Sequence, residues 1–405
     1  MSSTPRIPGH RFLHSPGPSR VPDEVLHAMS RQPMDLGDPR VDACIAACEA
    51  GLKRLLHTRG DVFLYATNGH GAWEAVIANL VAPGSSVLIP GTGHFSDGWA
   101  AQAEAFGARV IGTPWIEGQP IAPAVVEAAL RADTAHQIAA VFVVHTDTAS
   151  GVTSDLHALR AAIDAAKHPA LFVVDVVASL GAAPFAMDAL RANVVLGASQ
   201  KGLMVPPGLG FVAVDETAFE FAARNPAPRF YWDWRLRRSE LSYRKFCGTP
   251  PQSLLAGLEA SLALIFAEGE AAVLARHRLL ADAVHAAVAR WSEAGTLGFF
   301  CEVPQARSVS VTTIRVGAGV DPEAMRTIAR ERFQVSIAGG LGPLAGRAFR
   351  IGHLGDLNPA MILGALAGVE AAMTVQGIAF GAGGVERAVE TLSAATRTDR
   401  DRLPR

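Results

Sequence analysis

The sequence predicts an α/β fold: a large domain built on a seven-stranded, mostly parallel sheet, and a smaller C-terminal α+β domain. Two observations predict it. Seven short apolar runs rich in β-branched residues, at 62–66, 86–90, 109–115, 139–145, 170–177, 193–198 and 210–214, alternate with alanine-rich helical stretches such as 99–106, 123–132 and 156–166. Runs of that kind fit strands buried on both faces of a parallel sheet, and the intervening helices supply the covers. Beyond residue 252 the rhythm changes to long helices interspersed with isolated strands, at 308–316 and 348–351.

Taken in order, residues 1–25 read as an N-terminal arm. Its stretch around Ser15-Pro16-Gly17-Pro18 is too broken by Pro and Gly for regular helix or internal strand. Helices are expected at 23–29 and 42–56, the second with Cys44, Ile45, Cys48, Leu52 and Leu55 at helical spacing. The large domain then spans 26–255. Residues 219–243, rich in arginine and aromatics, read as a subunit or domain contact. Connecting helices at 256–292 lead to the small domain, 293–405, with helices at 322–333 and 359–373 and a charged tail.

Composition narrows the partners. At 405 residues and 49% hydrophobic content the chain can bury a large core. A formal charge of −2 and a pI near 6.7 offer no basic field to nucleic acid or an anionic membrane, so a small molecule is expected. No uninterrupted apolar run reaches the roughly 18–20 residues of a membrane span, and the first twenty residues lack the apolar core of a secretory signal, so a cytoplasmic enzyme is expected. The cysteines, Cys44, Cys48, Cys247 and Cys301, show no zinc spacing, and no metal is expected.

The chemistry is expected where strands end. Ligands of α/β sheets bind beyond the carboxyl ends of strands, and there the chain places His70, Phe95, Thr148, Asp175 and Lys201. Asp175 lies in an apolar strand, and Lys201 follows the next one in Ser199-Gln200-Lys201. Each is costly to bury without a partner. A pyridoxal phosphate ring answers both needs, its nitrogen meeting Asp175 and its aldehyde held by Lys201. The turn Asn68-Gly69-His70-Gly71 opens a helix and so presents free N–H groups to an anion. Two rival motifs fail: Gly91-Thr92-Gly93 lacks the third glycine of a dinucleotide fingerprint, and Gly197-Ala198-Ser199-Gln200-Lys201 lacks the closing glycine of a nucleophile elbow.

These blocks resemble the class V aminotransferases of the pyridoxal phosphate fold type I enzymes, in particular the serine-glyoxylate and alanine-glyoxylate branch. The resemblance rests on Ser15-Pro16-Gly17-Pro18-Ser19, Gly69-His70-Gly71-Ala72-Trp73-Glu74, Val174-Asp175-Val176-Val177-Ala178-Ser179, Ser199-Gln200-Lys201-Gly202, Gly339-Gly340-Leu341-Gly342 and Arg350-Ile351-Gly352-His353. It implies a homodimer with a shared active site, a small amino acid such as serine or alanine as donor, and glyoxylate or another small 2-oxo acid as acceptor. Lys201 and Asp175 would be catalytic. Gly69, His70, Gly71 and Gln200 would hold the phosphate with Thr249 of a neighbouring subunit, Phe95 would stack on the ring, and Thr148 would contact the cofactor. Arg350 would grip the substrate carboxylate with its planar fork, and His353 would bind substrate. Alternatives are pyridoxamine-pyruvate transfer and a lyase such as a cysteine desulfurase, although neither Cys247 nor Cys301 sits in a recognisable loop for the latter. The chain departs from the family at Asp35-Leu36-Gly37-Asp38, without the relatives' His-Arg pair, and at Phe246-Cys247-Gly248, which has less aromatic or tyrosine content before Thr249.

Overall fold

The computed structural model describes residues 8–400; the ends of the expected arm and tail, 1–7 and 401–405, lie outside the described residues. Fourteen strands form among them. In chain order they are β1 (Phe12–His14), β2 (Asp61–Thr67), β3 (Ser86–Pro90), β4 (Arg109–Thr113), β5 (Ile138–Val144), β6 (Thr146–Asp147) and β7 (Val152–Thr153). There follow β8 (Leu171–Asp175), β9 (Val194–Ala198), β10 (Gly208–Val214), β11 (Leu297–Phe299), β12 (Val311–Val316), β13 (Val335–Gly339) and β14 (Ala348–Gly352). All seven strands expected of the large sheet are present, in the order β2-β10-β9-β8-β5-β3-β4. Only β10 runs antiparallel to its neighbours, β2 and β9. The carboxyl ends of β2, β3, β5, β8 and β9 therefore share one edge.

Apolar clusters cover both faces of this sheet. One includes Leu64, Val141, Val143, Phe172, Val174 and Val195, and the other Phe63, Tyr65, Phe142, Val173, Leu196 and Val212. Adjacent residues of a single strand thus feed opposite cores, as the two-residue period of a strand requires. Burial on both faces is also why these strands read as continuous apolar runs.

The second sheet has the order β1-β13-β14-β12-β11 and packs under the helices Glu270–Ser292, Pro322–Arg332 and Pro359–Gln376. Three of its strands escape the sequence reading. β1 and β11 have three residues each, and β13 has five ending in glycine, too short for periodicity to register. The N-terminal stretch read as arm or loop thus contributes β1, an edge strand paired in parallel with β13. The helix Pro359–Gln376 is long and apolar enough, by length and composition, to cross a membrane. Here Ile362, Ala365, Leu366 and Val369 enter the core under the second sheet, while Glu370 accepts a hydrogen bond from Trp291 Nε1 at 2.7 Å.

The aromatic segment after the large sheet divides. Trp234 is fully buried and Arg237 lies over the Tyr65 ring, 4.1 Å from its centre, whereas Phe230, Leu241 and Tyr243 remain 70%, 60% and 59% exposed.

Candidate active site

Asp175 closes β8 in register with Val144 of β5 and Leu196 of β9, so three apolar strands surround it. Its carboxylate is satisfied on two sides: Trp73 Nε1 donates to Oδ2 at 2.7 Å and the Val177 N–H to Oδ1 at 2.7 Å. Burial nevertheless dominates and pushes its pKa up to about 6, against the pull of those donors and of Lys201.

Lys201 follows β9 by three residues and is 9% exposed. Burial, reinforced by the nearby Arg350 charge, lowers its pKa to about 8. The N-terminal segment crosses directly over it. Lys201 Nζ donates to the Pro16 carbonyl, Ser19 Oγ donates to the Lys201 carbonyl at 2.8 Å, and the Ser19 N–H to the Gln200 carbonyl at 3.0 Å. Residue 17 must be glycine, since a Cβ there would overlap the lysine side chain and φ is +139°.

Gly69, His70, Phe95, Thr148, Asp175, Gln200 and Lys201 line one cleft of about 110 Å³, together with Asn68 and Trp73. Asn68 caps the helix Gly69–Leu80 by accepting from the Gly71 N–H at 3.2 Å, and the helix presents its amino end beside the cleft. Gly71 does not line the cleft; a Cβ there would overlap Thr67, so its role is close packing. His70 leans on Trp73, ring centres 4.5 Å apart, and partial burial with His94 nearby lowers its pKa. Phe95 meets Trp73 edge-on at 6.3 Å, with Trp99 and Phe142 stacked behind.

Arg350, in β14, is buried beside this cleft. Its Nε donates to the Gly339 carbonyl at 2.7 Å and its Nη1 to the Thr148 carbonyl at 2.9 Å, which fixes the plane of the guanidinium and leaves Nη2 without a hydrogen bond among the described residues. Burial lowers its pKa to about 10, a value at which it stays charged.

Two expected residues lie elsewhere. Thr249 is exposed and does not line the cleft of its own chain. His353 is a correction: it is fully buried, with Thr312 Oγ1 2.9 Å from Nε2 and the Val309 carbonyl 2.9 Å from Nδ1. Both ring nitrogens are used internally, so none is left for a substrate.

Asp147 and Trp73 are site residues to which sequence reasoning gave no role. Asp147, in β6, is fully buried, and burial raises its pKa against the pull of several backbone donors. The signal was present: it is a lone acid three residues beyond the apolar strand β5, on the edge where the other site residues lie.

The cleft suits pyridoxal phosphate. It offers a buried carboxylate for the ring nitrogen, a buried amine for the aldehyde, an aromatic wall and a helix amino end for the phosphate. Gln200 Oε1 is buried without a hydrogen-bond partner among the described residues, so this acceptor awaits a donor. A larger cleft, about 590 Å³, lies between residues 31–44 and 252–259, but its charged groups Arg31, Arg40 and Glu259 are exposed and it holds no buried amine and acid. The chemistry therefore belongs to the smaller one.

Comparisons with known proteins agree with this geometry. The chain is 39% identical over 379 residues to the serine-glyoxylate aminotransferase of Methylorubrum extorquens, covering 92% of this chain and 93% of the relative. It is 38% identical over 366 residues to the L-aspartate-glyoxylate aminotransferase of Paracoccus denitrificans, covering 90% and 91%. Among solved structures, the ureidoglycine-glyoxylate aminotransferase of Bacillus subtilis superposes with a TM-score of 0.87 at 26% identity, covering 96% of this chain and 99% of that one. The pyridoxamine-pyruvate aminotransferase of Mesorhizobium loti superposes with a TM-score of 0.85 at 28% identity, covering 95% and 97%. The family model described as aminotransferase class-V matches residues 11–344, and the chain belongs to the class V aminotransferases, with their fold type I architecture.

Proposed function

We propose that the protein transfers the amino group of a small amino acid, serine or alanine, to glyoxylate or another small 2-oxo acid, using pyridoxal phosphate. The observation that carries this reading is the convergence of a buried amine, Lys201, a buried acid, Asp175, and an anchored guanidinium, Arg350, around one cleft. The relatives named above support the acceptor, since three of the four carry glyoxylate in their names.

The cofactor supplies an aldehyde that condenses with amines and a ring that accepts electron density from the substrate Cα. Lys201, with its pKa lowered to about 8, keeps a usable share of free amine near neutral pH. Its Nζ would hold the cofactor's aldehyde and, as a free amine, would carry the proton to and from the substrate Cα. Asp175 would hold the ring nitrogen and keep a proton on it by its charge, and Trp73 and the Val177 N–H keep the carboxylate in place. Arg350 orients the substrate carboxylate with Nη2, its other nitrogens being fixed by backbone carbonyls. The Pro16-Gly17 crossing excludes water from Lys201.

A second copy of the chain completes the site. Thr249 is exposed on each chain and reaches the partner's phosphate, and the exposed Phe230, Leu241 and Tyr243 are available to the interface. The enzyme works in the cytoplasm, without nucleic acid or membrane partners; its four free cysteines and near-balanced charge support this. The superposition with the pyridoxamine-pyruvate enzyme keeps a second reading, in which a vitamer amine is the donor.

Absorbance of the cofactor-loaded protein decides between the readings. Serine or alanine should bleach the visible band and glyoxylate restore it. Turnover of pyridoxamine and pyruvate by the protein without added pyridoxal phosphate, with no response to serine or alanine in its presence, favours the second reading, and indifference to every donor contradicts both.

A further inference from the structure

The carboxylate of Asp147 joins two segments that each deliver part of the site. Its Oδ2 accepts from the Phe95 N–H at 3.0 Å and from Thr92 Oγ1 at 3.3 Å, both on the segment after β3. Its Oδ1 accepts from the Ala149 N–H at 2.8 Å and the Ser150 N–H at 3.4 Å, on its own turn. Phe95 forms a wall of the cleft at the start of the helix His94–Ala105, and Thr148, the residue after Asp147, lines the cleft and lends its carbonyl to Arg350. Asp147 itself does not line the cleft.

We propose that Asp147 is a positioning residue that sets the Phe95 ring and, through the Thr148 carbonyl, the Arg350 guanidinium in one common frame. The inference rests on the functional reading above and names what holds its parts in register. All four partners are donors, so the site needs a group that only accepts. An asparagine of the same shape must turn its NH₂ against at least one N–H or O–H donor, and the segment holding Phe95 or the turn holding Thr148 then moves. The surroundings leave little slack: a Cβ on Gly93 would lie 3.2 Å from Oδ2, and Asp147 is fully buried. Trp73 meets the ring of Phe95 edge-on, with Trp99 stacked on Trp73 behind it, and the Asp147 bond to the Phe95 N–H holds the backbone that carries the ring at the start of its helix.

The test is Asp147→Asn, with folding checked by circular dichroism. The apoprotein should bind pyridoxal phosphate about tenfold more weakly, followed by tryptophan fluorescence, the scale expected when a buried donor loses its acceptor. The KM for glyoxylate should rise more than kcat falls. In a Phe95→Ala background the same substitution should lose at least half of its effect on cofactor affinity. Unchanged affinity and KM in folded Asp147→Asn, or equal losses in both backgrounds, would overturn the proposal. Should Asp147→Asn not fold, Thr92→Val removes one donor from the same oxygen: cofactor binding weakened twofold or more supports the role, and unchanged binding overturns it. Failure of the wild-type protein to bind the cofactor would instead overturn the functional reading beneath it.

Discussion

Two largely buried polar clusters of this protein differ in what their atoms still lack. Around the cleft, Lys201 and Asp175 are held by a few bonds each and line open space, and Arg350 is tied to the cleft residue Thr148 with Nη2 unbonded among the described residues. At the junction of β1, β14 and the helix Glu270–Ser292, His14, His277 and His353 are as deeply buried and His285 is half-buried beside them, and none of the four lines either cleft described above. His353 and His277 each use both ring nitrogens within the chain. Burial therefore does not mark function by itself; a buried charge with unfilled bonding capacity facing a cavity does.

Substitutions in the two clusters should separate accordingly. The largest effect is expected of Lys201→Ala, which removes both the anchoring amine and the proton carrier and should lower turnover by about 10²–10⁴-fold in steady-state assays. Activity within tenfold of wild type would erase the contrast. Arg350→Ala should raise the KM for 2-oxo acids by about 10- to 100-fold, the worth of bonds to a charged group, with Arg350→Lys in between; equal loss in both would point to a packing role instead.

The histidine cluster should announce itself in acid. Burial lowers the pKa values of His14 and His277 to about 4 and of His285 to about 3, from an ordinary 6.5. Folded values below unfolded ones mean that the unfolded chain binds more protons between pH 6.5 and 4. The stability these groups contribute is present above pH 6.5 and lost as pH falls through that window, by ~1.4 kcal/mol per pH unit for each histidine that must charge. Urea midpoints measured from pH 7 to pH 5 read this slope, and a flat profile would contradict it. The smallest effect on catalysis belongs to His353→Ala: a KM within twofold of wild type, alongside a loss of about 2–4 kcal/mol of stability from the vacated space and the unpaired Thr312 hydroxyl.

The cleft side of this contrast was legible in the sequence and the histidine side was not, for physical reasons. The large sheet was readable because strands buried on both faces form uninterrupted apolar runs, and Asp175 and Lys201 stood out against them. The three short strands β1, β11 and β13 gave no period to detect. His353 was misplaced because a motif conveys neighbours along the chain, whereas its partners Val309 and Thr312 come from the adjoining strand and the turn before it. Trp73 carried no role because its bond to Asp175 spans 102 residues of sequence. Thr249 is exposed and stands away from the cleft of its own chain, a placement that its motif does not convey.

Borohydride reduction of the cofactor-loaded protein, followed by peptide mapping, tests the central claim most directly. The chain has four lysines, Lys53, Lys167, Lys201 and Lys245. The account predicts the reduced cofactor on Lys201 alone; its appearance on any of the other three, or on none, would contradict it.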